Sequence, residues 1–160
     1  MKISGSPING RTTSRSVRIF LVEDNEDQGT LIQKIVQQSL PNVQIIWVRS
    51  PKEALVQLDA WTYQEWEIPK LILMDLYMPD RTDGLALLEY IKNMPFPLGQ
   101  VPVVTFSSSD NSDDILKTYE LGASSYLKKP VDYDEWLLYF QTLGSYWLET
   151  VTLPANRYRL

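Results

Sequence analysis

Short apolar runs alternate with amphipathic stretches along most of the chain. The apolar runs predict strands at residues 17–22, 43–48, 70–75, 101–106 and 125–127. Apolar side chains at three- and four-residue spacing predict helices over residues 26–39, from Ser50 through Leu58, from Leu85 to before Pro95, from Ile115 through Leu121, and over residues 132–149. Five strands alternating with five helices indicate an α/β protein, in which helices cover both faces of a parallel sheet.

The two ends of the chain lack this alternation. Residues 1–16 are rich in Ser, Thr, Gly and Arg and show no apolar period, so we expect a disordered tail. The folded domain is expected to span residues 17–145. Residues 146–160 are expected to continue the last helix and to offer a dimer or partner contact.

Composition narrows the chemistry that the domain can perform. The 160 residues carry a formal net charge of −5 and include no Cys and no His. The negative charge disfavours non-specific nucleic-acid binding. Disulfides, zinc–thiolate sites and Ser-His or Cys-His triads are excluded, so a nucleophile or metal ligand must be oxygen-based. Without a run long enough to span a bilayer or a signal-peptide pattern, we expect a cytoplasmic protein with no membrane partner.

Polar side chains follow several of the predicted strands where each strand ends. Glu23 and Asp24 follow the first strand, Asp75 ends the third, Ser107 follows the fourth and Lys129 follows the fifth. The carboxyl ends of parallel strands share one edge of a sheet, where ligands collect in open α/β folds. We therefore expect three acids, one hydroxyl and one ammonium to converge there.

Three neighbouring carboxylates repel one another unless a cation joins them, and Mg²⁺ prefers oxygen ligands. Asp24, Asp75 and the backbone carbonyl of Tyr77 are candidate ligands, and Glu23 is expected to act directly or through water. Asp75 would keep one oxygen free to attack phosphorus, while Mg²⁺ and Lys129 neutralise the transferring group. The simpler alternative is that Glu23 and Asp24 only cap the first helix, and both roles are compatible.

Several short segments occur in a fixed order and spacing: Glu23-Asp24, Asp75-x-x-Met78-Pro79, Asp83-Gly84, Val101-Pro102-Val103-Val104 with Ser107, and Gly122-Ala123-x-x-Tyr126-x-x-Lys129-Pro130. In this arrangement the chain resembles the receiver domain of two-component response regulators over about residues 17–145. The resemblance implies a doubly wound, flavodoxin-like five-stranded parallel sheet with strand order 2-1-3-4-5. It also implies a signalling switch rather than a conventional enzyme.

The resemblance assigns a role to each matching residue. Asp75 would accept a phosphoryl group from a sensor histidine kinase, in the presence of Mg²⁺. Ser107 would bond the phosphoryl oxygens, Tyr126 would turn inward on activation, and Lys129 would precede a cis bond to Pro130. Residue by residue, the alternatives are a polar capping loop for Ser107, a solvated lysine for Lys129 and a plain strand aromatic for Tyr126.

The C-terminal segment Tyr146-Trp147-Leu148-x-x-Val151-x-Leu153-Pro154 resembles the ending of single-domain regulators of cyanobacterial phytochrome kinases. Two aromatic stripes run along the last helix, where one would suffice for packing on a sheet. Trp136, Tyr139, Tyr146 and Trp147 are therefore candidates for a homodimer or partner surface. The alternative is a wide buried face beneath the C-terminal tail. Since residues 146–160 are too few for an output domain, an unidentified downstream protein is the expected target.

One departure lies beside the predicted metal site. Eight residues separate Asp75 from Gly84, one more than the receiver family usually has. The lifetime of the aspartyl phosphate therefore cannot be carried over by analogy, and bulky Tyr77 is a hypothetical shield against water. The hydrophobic connection containing Trp61, Tyr63 and Trp66 is expected either to pack locally or to contact a partner.

Three other functions remain open from the residues alone. A phosphorylation-independent adaptor with the same fold would signal by binding, although Asp24, Asp75, Ser107 and Lys129 are all present. A flavodoxin-like FMN-binding protein would need a phosphate loop after the first strand, where this chain is acidic. An aspartyl phosphatase or phosphomutase would usually have a second acid two residues after its nucleophile, where this chain has Tyr77.

Overall fold

The computed structural model describes residues 17–154. Its five strands are β1 (Val17–Val22), β2 (Val43–Val48), β3 (Leu71–Asp75), β4 (Val103–Ser107) and β5 (Ser125–Lys128). Its five α-helices are α1 (Glu26–Ser39), α2 (Pro51–Thr62), α3 (Arg81–Lys92), α4 (Ser112–Glu120) and α5 (Tyr133–Leu143). Short 3₁₀ turns precede β3 and β4, and a π-helical segment, Gly144–Thr150, follows α5.

The strands form one parallel sheet in the order β2-β1-β3-β4-β5, which confirms the predicted fold. Both faces of the sheet are covered. On one face the core includes Phe20, Ile72 and Leu88, together with side chains of α2 and α3. On the other face it includes Leu21, Leu73 and Phe140, together with side chains of α1 and α5. Burial on both faces explains why the central strands read as nearly continuous apolar runs.

Local sequence signals explain where several helices begin. Asn25 caps α1, where its side chain accepts a hydrogen bond from the N–H of Gln28 at 3.0 Å. Ser50 caps α2 in the same way, accepting from the N–H of Glu53 at 3.1 Å, with Pro51 in the first turn. These caps satisfy N–H groups that the first turn of a helix leaves without a partner inside the helix.

The third helix extends further toward the N-terminus than its apolar markers, which begin at Leu85, and it includes the Asp83-Gly84 pair that was expected to form a turn at its opening. α3 begins at Arg81 rather than Leu85, with Asp80 as its N-cap residue. Gly84 therefore lies inside the first turn rather than in a turn before the helix. A side chain at Gly84 would overlap the backbone carbonyl of Leu76, so this close approach of helix and loop requires glycine.

The expected cis bond between Lys129 and Pro130 is also wrong. Among residues 17–154, the cis bonds precede Pro79 and Pro97. The Lys129 N–H still donates to the carbonyl of Ser107 at 2.8 Å, so the end of β5 stays joined to the end of β4 without a cis bond.

Part of the predicted partner surface on the last helix is buried. Trp136 is only 5% exposed, because it stacks on Phe140 and meets Phe106 edge-on in the core. Tyr139 and Trp147 are partly buried against the same cluster. Of the four candidates, Tyr146 is the one that is largely exposed, at 54%. The helix expected over residues 132–149 is α-helical as far as Leu143 and continues as the π-helical segment to Thr150.

The hydrophobic connection before β3 contains both buried and exposed aromatic side chains. Trp61 is buried, with its ring edge-on to Phe20 at 4.8 Å between centroids. Tyr63 and Trp66 are exposed. Within residues 17–154, no helix has both the length and the hydrophobicity needed for a bilayer span. The predicted tail at residues 1–16, and residues 155–160 of the C-terminal extension, lie outside the described residues.

Candidate functional site

The register of the sheet brings four strand ends to one edge. Val22 pairs with Met74, so Glu23 follows β1 next to Asp75 at the end of β3. Asp75 pairs with Phe106, which places Ser107 one residue further along β4. Ser107 in turn pairs with Lys128, directly before Lys129. Side chains that are distant in sequence therefore meet because parallel strands end at the same edge.

The three predicted metal-binding acids form one cluster. Glu23, Asp24 and Asp75 each offer a carboxylate oxygen, and these oxygens lie within 4.8 Å of one another. Glu23 and Asp75 are buried, whereas Asp24 is exposed at the mouth of the site. An all-carboxylate donor set at this spacing suits a hard divalent cation, with solvent reaching it from the side of Asp24.

Lys129 provides the positive charge of the site. Its buried ammonium lies 2.7 Å from Asp75 Oδ2 and 3.3 Å from Glu23 Oε2. It also donates to the side-chain oxygen of Gln28 in the first turn of α1. Asp75 Oδ1 accepts a hydrogen bond from the backbone N–H of Tyr77 at 3.1 Å. The carboxylate of Asp75 is thus held by one contact to each of its oxygens.

The environment of Glu23 disfavours its charged form. Its pKa is raised to about 7, mainly by burial; Lys129 acts to lower it and the charge of Asp75 acts to raise it. One ammonium does not fully offset two buried carboxylates. A divalent cation beside Asp24 would supply the missing charge, so the residues present fit the metal that the sequence predicts.

This pKa shift predicts how stability depends on pH without divalent metal. Between pH 4.5 and about 7, the folded protein holds a proton on Glu23 that the unfolded chain has released. The contribution of Glu23 to the free energy of unfolding is therefore present below pH 4.5 and is lost as pH rises through about 7. Chemical denaturation of wild type and Glu23→Gln across this range should show the decline in wild type alone.

Addition of Mg²⁺ at pH 8 should restore wild-type stability more than that of the variant. Parallel pH profiles for the two proteins, with equal responses to Mg²⁺, would contradict the assignment of this carboxylate.

Ser107 and Tyr126 meet through the loop after β4. The buried hydroxyl oxygen of Ser107 accepts from the Ser109 N–H at 3.1 Å, which leaves the hydroxyl proton available for donation. The half-buried Tyr126 donates its hydroxyl to the carbonyl of Ser109 at 2.7 Å. One loop residue therefore connects the two predicted switch residues.

A second polar cluster, which the sequence did not reveal, lies beside the first. The hydroxyl of Tyr77 donates to Asp114 Oδ2 at 2.7 Å, and the hydroxyl of Ser109 donates to the same oxygen at 2.9 Å. The guanidinium of Arg81 forms an ion pair with the other oxygen of Asp114. Tyr77, whose carbonyl was predicted to bind metal, thus contributes its N–H to Asp75 and its ring hydroxyl to α4.

Gln28 and Asp114 are two of the site residues that sequence reasoning missed. Gln28 lies one turn from the acids on an ordinary amphipathic helix, and nothing in its spacing marks a contact with Lys129. Asp114 lies in the first turn of α4. Acids are common there because the helix dipole stabilises negative charge at the N-terminus. The burial of Asp114, at 3% exposure, was the informative signal and requires coordinates.

Comparison with known proteins gives consistent matches. A family model described as the response regulator receiver domain matches residues 19–140. Response regulator Rcp1 of Synechocystis is 37% identical over 138 residues, covering 86% of this chain and 92% of that protein. The probable methanogenesis regulatory protein FilR2 of Methanothrix harundinacea is 32% identical over 130 residues, covering 81% of this chain and 83% of that protein.

Two solved structures resemble the fold closely. The Mn(2+)-bound form of response regulator Rcp1 superposes with a TM-score of 0.75 at 36% identity, covering 87% of this chain and 99% of that one. The phosphorylated cyanobacterial phytochrome response regulator RcpA superposes with a TM-score of 0.77 at 36% identity, with the same coverage. One of these relatives was crystallised with a divalent metal and the other in a phosphorylated state.

Proposed function

The chain belongs to the response regulator receiver domain family, and we propose that it is a phosphorylation-dependent switch that receives its phosphoryl group on Asp75 with Mg²⁺. The observation that carries this proposal is the buried ammonium of Lys129 between Asp75 and Glu23, beside the exposed Asp24. Burying a lysine and two acids costs free energy of desolvation. Such buried charged clusters are typical of functional sites.

The geometry supports a direct transfer from phosphohistidine. An oxygen of Asp75 forms the new bond to phosphorus as the bond between phosphorus and the kinase imidazole breaks, and the imidazole leaves with the electron pair. The Lys129 ammonium lies 2.7 Å from the acceptor carboxylate. From there it can contact the phosphoryl oxygens as negative charge develops on them. Ser107 has a free hydroxyl proton for one of those oxygens. Such transfer depends mainly on positioning and electrostatics, which these groups provide.

Glu23, Asp24 and Asp75 would hold the Mg²⁺, and the Tyr77 carbonyl remains a predicted fourth ligand. When bound, the ion would supply positive charge and would screen the repulsion between the acids and the phosphoryl group. The similarity to the Mn(2+)-bound form of Rcp1 supports a divalent ion at this edge of the sheet. Mg²⁺ is the choice that the all-oxygen donor set favours.

The proposed donor is a sensor histidine kinase of the phytochrome type. The support is the 36% identity to the phosphorylated cyanobacterial phytochrome response regulator RcpA across 87% of the chain. The output would pass through protein contacts, including a homodimer. Because Trp136 is buried, it is not available for such a contact. The exposed side chains on the last helix and its extension include Tyr133, Leu138 and Tyr146.

A phosphotransfer panel tests the proposal. Phytochrome-type kinases and unrelated histidine kinases are loaded with labelled phosphate and mixed with the full chain and Mg²⁺, and the oligomeric mass is read before and after transfer. We expect fast transfer from phytochrome-type kinases and a change in mass on phosphorylation. Binding to such a kinase with no phosphoryl transfer would instead favour the phosphorylation-independent adaptor.

The ring of Tyr77 is proposed to slow hydrolysis of the aspartyl phosphate. Its N–H contacts Asp75 and its hydroxyl is anchored on α4, so the residue is held at both ends between the acceptor and that helix. In Tyr77→Asn the smaller side chain should let water approach, and the phosphate lifetime should fall by about tenfold, or ~1.4 kcal/mol in barrier. Decay of the label after removal of the donor measures this. A lifetime equal to or longer than that of wild type would count against shielding.

A further inference from the structure

Helix α4 is attached to the domain differently from the other helices. Its buried residues are Asp114 and Thr118, both polar, whereas α2, for example, buries Ala54, Leu58 and Trp61. Leu116 of α4 is 59% exposed. Because a helix normally docks on a sheet through an apolar stripe, the position of α4 depends to an unusual degree on polar contacts.

The main polar contact is the carboxylate of Asp114, which is 3% exposed. Its three partners come from three separate segments: Tyr77 from the loop after β3, Arg81 from the start of α3 and Ser109 from the loop after β4. Burial acts to raise the pKa of Asp114, but the hydrogen bonds from Tyr77 and Ser109 and the charge of Arg81 hold it below its usual value. The group is therefore an anion at neutral pH.

Two of these partners also contact the acceptor site through their backbones. The N–H of Tyr77 donates to Asp75 at 3.1 Å, and the N–H of Ser109 donates to Ser107 at 3.1 Å. A chain of hydrogen bonds therefore runs from Asp75 through Tyr77 to Asp114, and on through Ser109 to Ser107. The single carboxylate of Asp114 fixes both residues that border the phosphoryl-binding groups.

We propose that Asp114 is a positioning residue for the chemistry at Asp75, which anchors α4 and fixes Tyr77, whose N–H contacts the acceptor, so that the aspartyl phosphate survives longer. The proposal rests on the proposed function. In the reaction that it slows, a water oxygen forms a bond to phosphorus and the bond from phosphorus to Asp75 breaks. Inorganic phosphate leaves, the carboxylate is regenerated, and the water gives up a proton to solvent.

Phosphate lifetimes of four variants test this role. Asp114→Ala should shorten the lifetime by about threefold to tenfold, as expected for loss of one to two hydrogen bonds. Tyr77→Phe, which keeps the ring and removes its hydroxyl, should shorten it by less. The double variant should match Asp114→Ala, because both changes remove the same anchor. Asp113→Ala, on the exposed side of the same helical turn, is the matched control and should match wild type.

Hydrogen exchange of the unphosphorylated protein gives a second readout. Amides of α4 should exchange about tenfold faster in Asp114→Ala than in Asp113→Ala, while amides of α5 should not change. If Asp114→Ala fails to fold, Tyr77→Phe and Ser109→Ala carry the same test, since each removes one contact to the carboxylate.

The outcomes separate the two proposals. Lifetimes equal to wild type, or effects that add in the double variant, would overturn the positioning role. Unchanged exchange in α4 would overturn the anchoring role. A wild-type protein that takes up no phosphoryl group would refute the proposed function itself, and the exchange data alone would then decide whether Asp114 anchors α4.

Discussion

The Asp75→Asn variant is expected to take up no phosphoryl group from a phosphorylated kinase that labels the wild-type protein. An amide nitrogen and carbonyl have almost the shape of the carboxylate but lack the anionic oxygen that attacks phosphorus. The fold should persist, because the carbonyl oxygen of Asn can still accept from the N–H of Tyr77, and one of the two buried acids beside Lys129 is removed. Any change in oligomeric mass on phosphorylation should disappear together with the label.

The matched control for this variant is Asp80→Asn. Asp80 is exposed in the same loop, and its side chain makes no capping hydrogen bond to α3. It should accept phosphate as fast as wild type. Stable label on Asp75→Asn would show that another residue is the acceptor. Loss of label in Asp80→Asn would show that disturbance of the loop, rather than removal of the Asp75 carboxylate, abolishes phosphoryl uptake.

The Lys129→Met variant should show the second large effect. Phosphoryl uptake should slow by about 100-fold or more, since removal of one preorganised charge contact at a transferring group typically costs that much. Met has an unbranched side chain of similar length, so the change removes mainly the ammonium that lies 2.7 Å from Asp75. Rapid-quench measurement of labelling by a small phosphodonor would give the rate for both proteins.

The same variant should also be less stable, by about 3 kcal/mol above pH 7, because two buried carboxylates lose their shared partner. The deficit should shrink at lower pH, where Glu23 takes up a proton in the folded state, and on addition of Mg²⁺. Lys128→Met is the control, because Lys128 is exposed and pairs with exposed Asp110. Equal rates and stabilities for the two lysine variants would contradict the central role of Lys129.

Much of the fold was predictable because the informative patterns are local. β1 and α1 have the bounds that the sequence predicts, since a continuous apolar run and a 3.6-residue period are strong signals. The meeting of Glu23, Asp24, Asp75 and Lys129 also follows from the sequence, because the carboxyl ends of parallel strands share one edge.

The features that were not predictable depend on tertiary contacts. The first turn of α3, which begins at Arg81, has no apolar period, and the close approach of Gly84 to Leu76 is a tertiary contact. Both stripes of the last helix are aromatic, so the sequence could not show that Trp136 faces the core. The burial of Asp114 depends on three segments that are far apart in sequence, and an acid in a first turn is otherwise unremarkable.

The most direct test of the account is to map the phosphoryl group on the wild-type chain. The protein is incubated with a small phosphodonor in Mg²⁺ or in excess chelator, stabilised as the acyl phosphate, and digested for mass spectrometry. The expected result is one phosphoryl group per chain, located on Asp75 and dependent on the divalent ion. A phosphoryl group on another residue, equal labelling in chelator, or no labelling in Mg²⁺ would contradict it.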